Sequence, residues 1–599
     1  MQRINSSYSA STANVVVIIL FLIGAVGAHG HSEPELAGNH TALVHESDHL
    51  QSYFTLPNHQ GLIYGHISLM IIAWVVVLPV GAKFACSSAV MLSIARSRIS
   101  LMTQFAFLTI NAFGLLLAAI YNSQTQDLYP NNSHHKIGWI VTAVMSVQAL
   151  IQLIGRLAGA TAGPGYRREH HVGGHNLISS VNYWRRLSTQ DHAAPADRLS
   201  NDSGQGTEPG TESLRSNSVS TLDDEEIPLN DQHGDYHSSE AEAKLLESAE
   251  LPVLSTNMLV RKAQRVVVSW LWAYLDFIHR ATDRIILPLG FIALTTGIVT
   301  FGRLFEGKSI FSGLAHWIKG GVFFWLGLLT LGRWSGSFAD MGWAWNLRPV
   351  DADEKHWCPS AEFVESALIF FYGSTNIFLE HLGSWGGEWS SQDLEHLAIT
   401  VLFLGGGLCG MLIESSTVRT LLNATASDTA PARTLGDEEE IAERWNNPPT
   451  YKFSLNPIPA LVILLLGIMM SSHHQETMVS TMVHKQWGDL LLGASFARVL
   501  TYVLLFLRPP KSVLPSRPPT ELLASFGLIA GGIIFMASSS DTIDGMIHYN
   551  LDAMFVYTIT MGLVGLLMAW EITVLAIKGW AIRREKRAIL PKFAQYHMP

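Results

Sequence analysis

Long uninterrupted apolar runs dominate this chain, with little of the polar-apolar alternation of a water-facing helix or strand. Val15–Val26, Leu62–Pro79, Val322–Leu331 and Leu461–Met470 contain no Asp, Glu, Lys or Arg. A helix needs about 20 apolar residues to cross a bilayer, and it can do so because it satisfies its own backbone groups. The pattern predicts eleven spans, at 62–84, 100–121, 136–158, 283–303, 315–333, 361–380, 396–414, 456–472, 482–507, 521–538 and 552–577. The first apolar run follows one basic residue, Arg3, and closes on Val26-Gly27-Ala28. That is the pattern of a signal peptide cut after Ala28, with an uncleaved anchor as the alternative. The expected fold class is therefore all-α: a polytopic membrane helix bundle of about 11 transmembrane helices after a signal peptide, with a long disordered cytosolic loop.

Charge orients these spans. The segments after the first, ninth and eleventh carry Lys83, Arg96 and Arg98, then Arg508, Lys511 and Arg517, then Arg583, Arg584, Lys586 and Arg587. Segments 121–135, 381–395 and 539–551 hold no Lys or Arg, and Lys308 is the one mild exception on that side. Positive residues favour the cytosolic side, so the carboxy-terminus is expected there. Asn39 and Asn131, each opening an Asn-x-Ser/Thr acceptor, then fall on the lumenal side as glycosylation sites. Asn423 falls on the cytosolic side and is discounted.

Composition agrees. Of 599 residues, 48% are hydrophobic and 15% charged, against ~25% charged in soluble domains. A water-soluble enzyme, a nucleic-acid binder and a disulfide-stapled module are excluded; Cys86, Cys358 and Cys409 form no framework. The net charge is -10, and residues 161–258 hold sixteen Asp and Glu against seven Lys and Arg, so that loop carries nearly all of it. Its composition cannot bury a core. Ser220-Thr221 before Asp223-Asp224-Glu225-Glu226 resembles an acidophilic kinase site, so cytosolic partners or a kinase are expected there unless the loop is a plain linker.

These boundaries give a signal peptide (1–28), a His-rich lumenal segment (29–60), three helices (61–160), the acidic loop (161–258), two further spans (259–335), a carboxy-terminal multi-span domain (336–580) and a basic tail (581–599).

Ionisable residues at spans suggest function, and here they read as mostly His at span ends. His66 opens the first span; His134 and His135 open the third, at the same predicted depth. Two imidazoles from neighbouring helices can hold a b-type haem, whereas a His at a membrane interface can also be merely solvated. His66-x-x-x-Met70-x-x-Ala73-Trp74…Pro79-x-Gly81 and His134-x-x-x-Gly138 resemble the first and third core helices of cytochrome b561-type proteins. Phe277-Ile-His279-Arg…Gly297…Phe305-Glu-Gly is similar to their fourth. Over most of residues 50–580 the chain resembles the fungal Ytp-one-like membrane proteins. The b561 resemblance implies a haem between His66 and His134, or His135 one register off. It also implies a second haem between helices two and four, but the second span has no His, with Gln104 where one would stand. His279 lacks its counterpart and is expected to be a solvated residue before its span.

A second constellation, Asn376, Glu380, His381, Glu395, His396, His473, His474, Glu476, His484 and the pair Asp541/His548, maps to the lumenal ends of three hairpins. Mixed imidazole and carboxylate ligands suit zinc, iron or copper; an interfacial polar belt is the alternative. A chain cut after Ala28 would begin His29-Gly30-His31, a Cu(II)-chelating terminus. Arg280, Asp283 and Arg284 read as a structural charge cluster, and Glu571 as an intramembrane carboxylate without an assignable partner. No Gly-x-Gly-x-x-Gly or phosphate loop occurs, so no NAD or ATP site is expected.

The functional expectation is an integral membrane protein of the secretory or endomembrane system, vacuolar or plasma membrane. It would be a b561-like redox protein, hence a membrane oxidoreductase, with one b-type haem and a lumenal metal ion. The alternatives are a cofactor-free transporter or metal-handling protein, or a membrane scaffold with a regulatory loop. Oligomeric state is not legible.

Overall fold

A computed structural model describes residues 52–81, 98–161, 258–349, 359–380, 389, 391–427, 449–472 and 475–594. The predicted signal peptide, nearly all of the His-rich segment and the acidic loop lie outside them. Residues 175–278 form a separate unit, described only from Met258. The packing and the side-chain clusters of interest belong to the other unit.

The described residues are helical throughout, without strands. Helix α1 begins as Gln60–Ile71, passes through a π-helical stretch Ile72–Val77 and ends as Leu78–Gly81. Then come α2 (Arg98–Gln124), α3 (Ser133–Thr161), α4 (Met258–Gly302), α5 (Ile310–Ser335), α6 (Ala361–Glu380), α7 (Ser391–Glu414), α8 (Ser416–Ser427), α9 (Ile458–Ser472), α10 (Met478–Leu507), α11 (Pro519–Ala537), α12 (Ser540–His548) and α13 (Ala553–Ala594). All but α8 and α12 lie where the apolar runs predicted spans. Nine of the described helices are long and apolar enough to cross a membrane. The two exceptions have plain causes: α9 has 15 residues, and α6 carries Glu362, Glu365 and Glu380. Large apolar side chains such as Phe105, Phe371, Phe496 and Leu523 face outward, as lipid contact requires.

The π stretch in α1 follows from one residue. Pro79 has no N–H and its ring crowds the preceding turn, so the Val75 carbonyl loses its helical donor. The helix widens, with Leu78 N–H reaching back to Ala73 O. The indole of Trp570 on α13 donates to the stranded Val75 carbonyl at 3.0 Å. Trp570→Phe is therefore expected to cost about 1 kcal/mol by removing the donor of a half-buried carbonyl, read as an earlier thermal unfolding transition in detergent.

Two packed regions result. Trp74, Leu78, Phe107, Val141, Met145 and Ile286 join α1 to α4 around one core. Trp74 donates to Asn111 (3.0 Å), which donates to Thr142 (3.2 Å), tying α1, α2 and α3. The carboxy-terminal region packs α11 against α5 and α10, α6 against α7, and α9 against α10. Its core includes Phe403, Leu466, Leu491, Trp487 and Phe535, the last two stacked at 4.0 Å.

Candidate functional site

On the predicted lumenal end of α1 to α4, His66 and His134 meet. Their ring centres lie 6.3 Å apart with planes inclined at 68°. The His66 Nδ1 lies 2.9 Å from the Gly114 carbonyl on α2. A carbonyl only accepts, so Nδ1 carries the hydrogen and Nε2 keeps its lone pair. Gly114 permits this approach because α1 runs so close that a Cβ there would meet the Met70 side chain at 2.6 Å. His134 Nδ1 faces the Thr296 hydroxyl at 3.4 Å, and the ring also meets the Ala293 carbonyl on α4. Gly297 lies under the His134 ring, where a Cβ would stand 3.0 Å from Cε1. His135, one position along, turns outward onto Trp139, as a helix rotation of about 100° per residue requires.

This donor set fits a bis-imidazole group. Metal–nitrogen bonds of ~2 Å on either side of one metal ion place two ring centres roughly 6 Å apart. Both Nδ1 atoms are held from behind, the usual way a ligand imidazole is oriented.

The opposite end of these helices differs. His279 is not a solvated residue: it is buried, and its Nε2 lies 3.5 Å from Asp283. Asp283 also accepts from Gln148. It thus turns inward toward His279 and Gln148, and the side chain of Arg280 lies outside the described residues. Gln104 and Gln148 line a small cavity with Asp283 and Phe107; a Gln at position 104 and a carboxylate beside His279 leave no second facing imidazole among the described residues.

The predicted lumenal metal set is only partly described. The side chain of Glu380, and His381, His473 and His474, lie outside the described residues. Glu395 and Glu476 are exposed and His396 half-buried. His484 is buried, its Nδ1 facing the Ser480 carbonyl at 2.8 Å and its ring near His316, which sequence reasoning did not single out. Among the described residues no three His, Cys, Asp or Glu gather as a metal site. Asn376 ties Tyr372 to Thr400 through hydrogen bonds of 3.1 and 2.9 Å. Asp541 accepts from Phe305 N–H (2.6 Å) and Ser309 (2.9 Å), so it fastens the turn after α4. Tyr129 donates to Leu304 O nearby, and burial with Glu306 and Asp541 pushes its phenol up. Of the glycosylation acceptors, Asn131 lies in an exposed turn at φ 63° and Asn39 lies outside the described residues. Glu571 has a charged neighbour, Lys578, two turns along α13.

The largest site that sequence reasoning missed lies inside the carboxy-terminal helices. Arg333 on α5 bonds Glu362 (2.8 Å) and Glu365 (2.9 Å) on α6 and donates to Trp343 O (2.8 Å). Arg498 on α10 bonds Glu365 (3.1 Å) and, on α11, Glu521 (2.8 Å). It also donates to Thr330 (3.0 Å). Trp345 covers Arg333 at 4.4 Å. All five charged side chains are buried. The sequence signal was there: Arg498 sits inside a predicted span, and Glu362 and Glu365 share one helical face.

Two family models match this chain. "Protein YTP1-like, C-terminal" covers residues 289–579, and a "domain of unknown function (DUF2427)" covers 47–158. "Uncharacterized membrane protein C3B8.06" of Schizosaccharomyces pombe is 34% identical over 539 residues, 88% of this chain and 96% of that protein. "Uncharacterized membrane protein YCR061W" of Saccharomyces cerevisiae is 41% identical over 312 residues, 50% of this chain and 47% of its own length. "Protein YTP1" of the same yeast is 24% identical over 234 residues, 39% of this chain and 42% of that protein. No solved structure matches.

Proposed function

This chain belongs to the YTP1-like family of membrane proteins, and from that footing we propose that it is a haem-binding redox protein of the endomembrane system. The observation that carries the reading is the His66–His134 pair, two inward-facing imidazoles on separate helices with ring centres 6.3 Å apart. When bound, a b-type haem supplies one-electron chemistry at its iron.

The chain's own residues do the rest. Gly114 O fixes the His66 tautomer, and Thr296 with Ala293 O orients His134. Gly297 keeps clear the space beside that ring. Trp74, Asn111 and Thr142 lock the helices that carry the two ligands. Because His279 faces Asp283 and α2 offers Gln104, we assign one haem near the predicted lumenal face. Electron exchange is then confined to that face, since a relay across ~30 Å of hydrocarbon would need a second cofactor.

Purified protein from haem-replete cells should show the absorption bands of a six-coordinate b-type haem. His66→Ala and His134→Ala each abolish them, while His135→Ala and His279→Ala leave them. A colourless wild type overturns the reading. The buried ion network of α5, α6, α10 and α11 would then favour the second one, a cofactor-free transporter.

A further inference from the structure

The Arg333–Glu362–Glu365–Arg498–Glu521 network is unbalanced by one charge: two guanidiniums face three carboxylates. Water-free burial of an uncompensated charge is strongly unfavourable, so the imbalance asks for a ligand of charge +1. Glu362 accepts from Arg333 at 2.8 Å and from Tyr502 at 3.4 Å, and Glu365 uses both oxygens on the two arginines. Glu521 differs. One oxygen, Oε2, accepts from Arg498, but Oε1 has no hydrogen-bond partner although the residue is 0% exposed.

The neighbour of that oxygen is informative. Thr501 lies close enough to act on Glu521, yet its hydroxyl is engaged with Ala497 O at 3.3 Å and Thr520 at 2.6 Å. Either hydroxyl of the Thr501–Thr520 pair can be the donor; with the Thr501 hydrogen turned to Ala497 O or Thr520, its oxygen lone pair can accept from an O–H on Glu521. Glu414 gives the contrast: a half-buried carboxylate whose two oxygens each accept from a serine at 2.6 Å.

We propose that Glu521 is a proton-binding site. Its carboxyl is loaded in the resting protein, and releasing the proton converts a neutral network into one with a buried net negative charge. The charged groups facing it are Arg498 from α10, Arg333 from α5 and Glu365 from α6, with Glu362 and Tyr502 one contact further into the network; α13 presents apolar Val564 and Met568 to this region. Breaking the Oε1–H bond sends the proton toward the end of the bundle that carries the basic loops, where α11 begins. It leaves α11 with a negative charge that Glu365 of α6 repels and Arg498 of α10 draws in, which shifts the balance of forces on this helix. Proton occupancy thus sets how tightly α11 is held, a device suited to coupling proton release to movement of this helix.

The test is infrared spectroscopy of the full-length protein at neutral pH. The wild-type minus E521Q difference should show loss of a protonated carboxylic-acid carbonyl stretch. Loss of carboxylate stretches instead means an ionised Glu521, balanced by a cation or by nothing, and overturns the proposal. Thermal unfolding adds a second reading. Glutamine mimics the neutral acid, so E521Q should unfold within about 2 °C of wild type; an E521Q protein that does not fold overturns the proposal too. In E365Q the network restores neutrality by ionising Glu521, so the carbonyl stretch disappears there as well. Its persistence in E365Q refutes the charge coupling. This outcome is independent of haem, which sits on α1 and α3.

Discussion

Arg498→Met should leave the carboxy-terminal helices unfolded or poorly folded, with little protein recovered in the monodisperse fraction after detergent extraction. The side chain lies between Glu365 and Glu521 and also holds Thr330, so one guanidinium joins α5, α6, α10 and α11. Methionine fills much of the volume and supplies none of the charge. Breaking one partner out of a buried ion pair costs about 3–5 kcal/mol, because the remaining charge stays in low dielectric. The expected effect exceeds that of the same substitution at an exposed arginine such as Arg508, where ion pairing contributes at most about 1 kcal/mol. Equal recovery of the two variants would show that the network adds little to stability. A partial rescue by Arg498→Met with Glu365→Gln would show that the penalty is the stranded charge and not lost packing.

Gly532→Val should produce the second largest loss. Helices α5 and α11 cross at bare backbone: a Cβ on Gly532 would stand 2.5 Å from Phe324 N and 2.6 Å from Gly320 O. Gly327, farther along α5, is as tight, with Ile529 N at 2.7 Å and Ser525 O at 3.0 Å. These are main-chain atoms that cannot swing aside, so the whole contact must open. Small residues let membrane helices approach to this distance, where packing supplies the association energy. Overpacking of this kind costs about 3 kcal/mol, read as a fall of roughly 5 °C in the unfolding midpoint. Gly493→Val, where a Cβ meets nothing within 4 Å, is the control and should change the midpoint little. Similar midpoints for the two variants would refute close α5–α11 packing.

The two sites differ in how far the sequence announced them. His66 and His134 were legible because each opens an apolar run at the same predicted depth, and the His-x-x-x-Gly resemblance to b561-type helices preferred His134 of the two adjacent histidines. The Arg–Glu network was not. Its five charged residues lie on four helices separated by up to 188 positions, from Arg333 to Glu521, and, Arg498 apart, each alone resembles a charge at the end of a span. His279 shows the same limit in reverse: a residue at a span start looks solvated until a neighbouring helix covers it.

Helix placement was settled locally. Hydrocarbon offers no hydrogen bonds, so an apolar run of about 20 residues has to be helical whatever surrounds it. That is why the predicted spans coincide with the long helices of the structure, and why lipid-facing residues need no partner. The sequence by itself therefore determined an all-helical membrane protein and the helices that carry its histidines. Which buried groups meet was decided only in three dimensions. Lipid is as apolar as leucine, and no hydrophobic force orders one helix against another. Their arrangement follows from close glycine contacts and from polar groups seeking partners: Gly320 against Gly532, Trp570 on the carbonyl stranded by Pro79, Arg498 between Glu365 and Glu521. Those pairings depend on distances between residues hundreds of positions apart, which tertiary packing alone fixes.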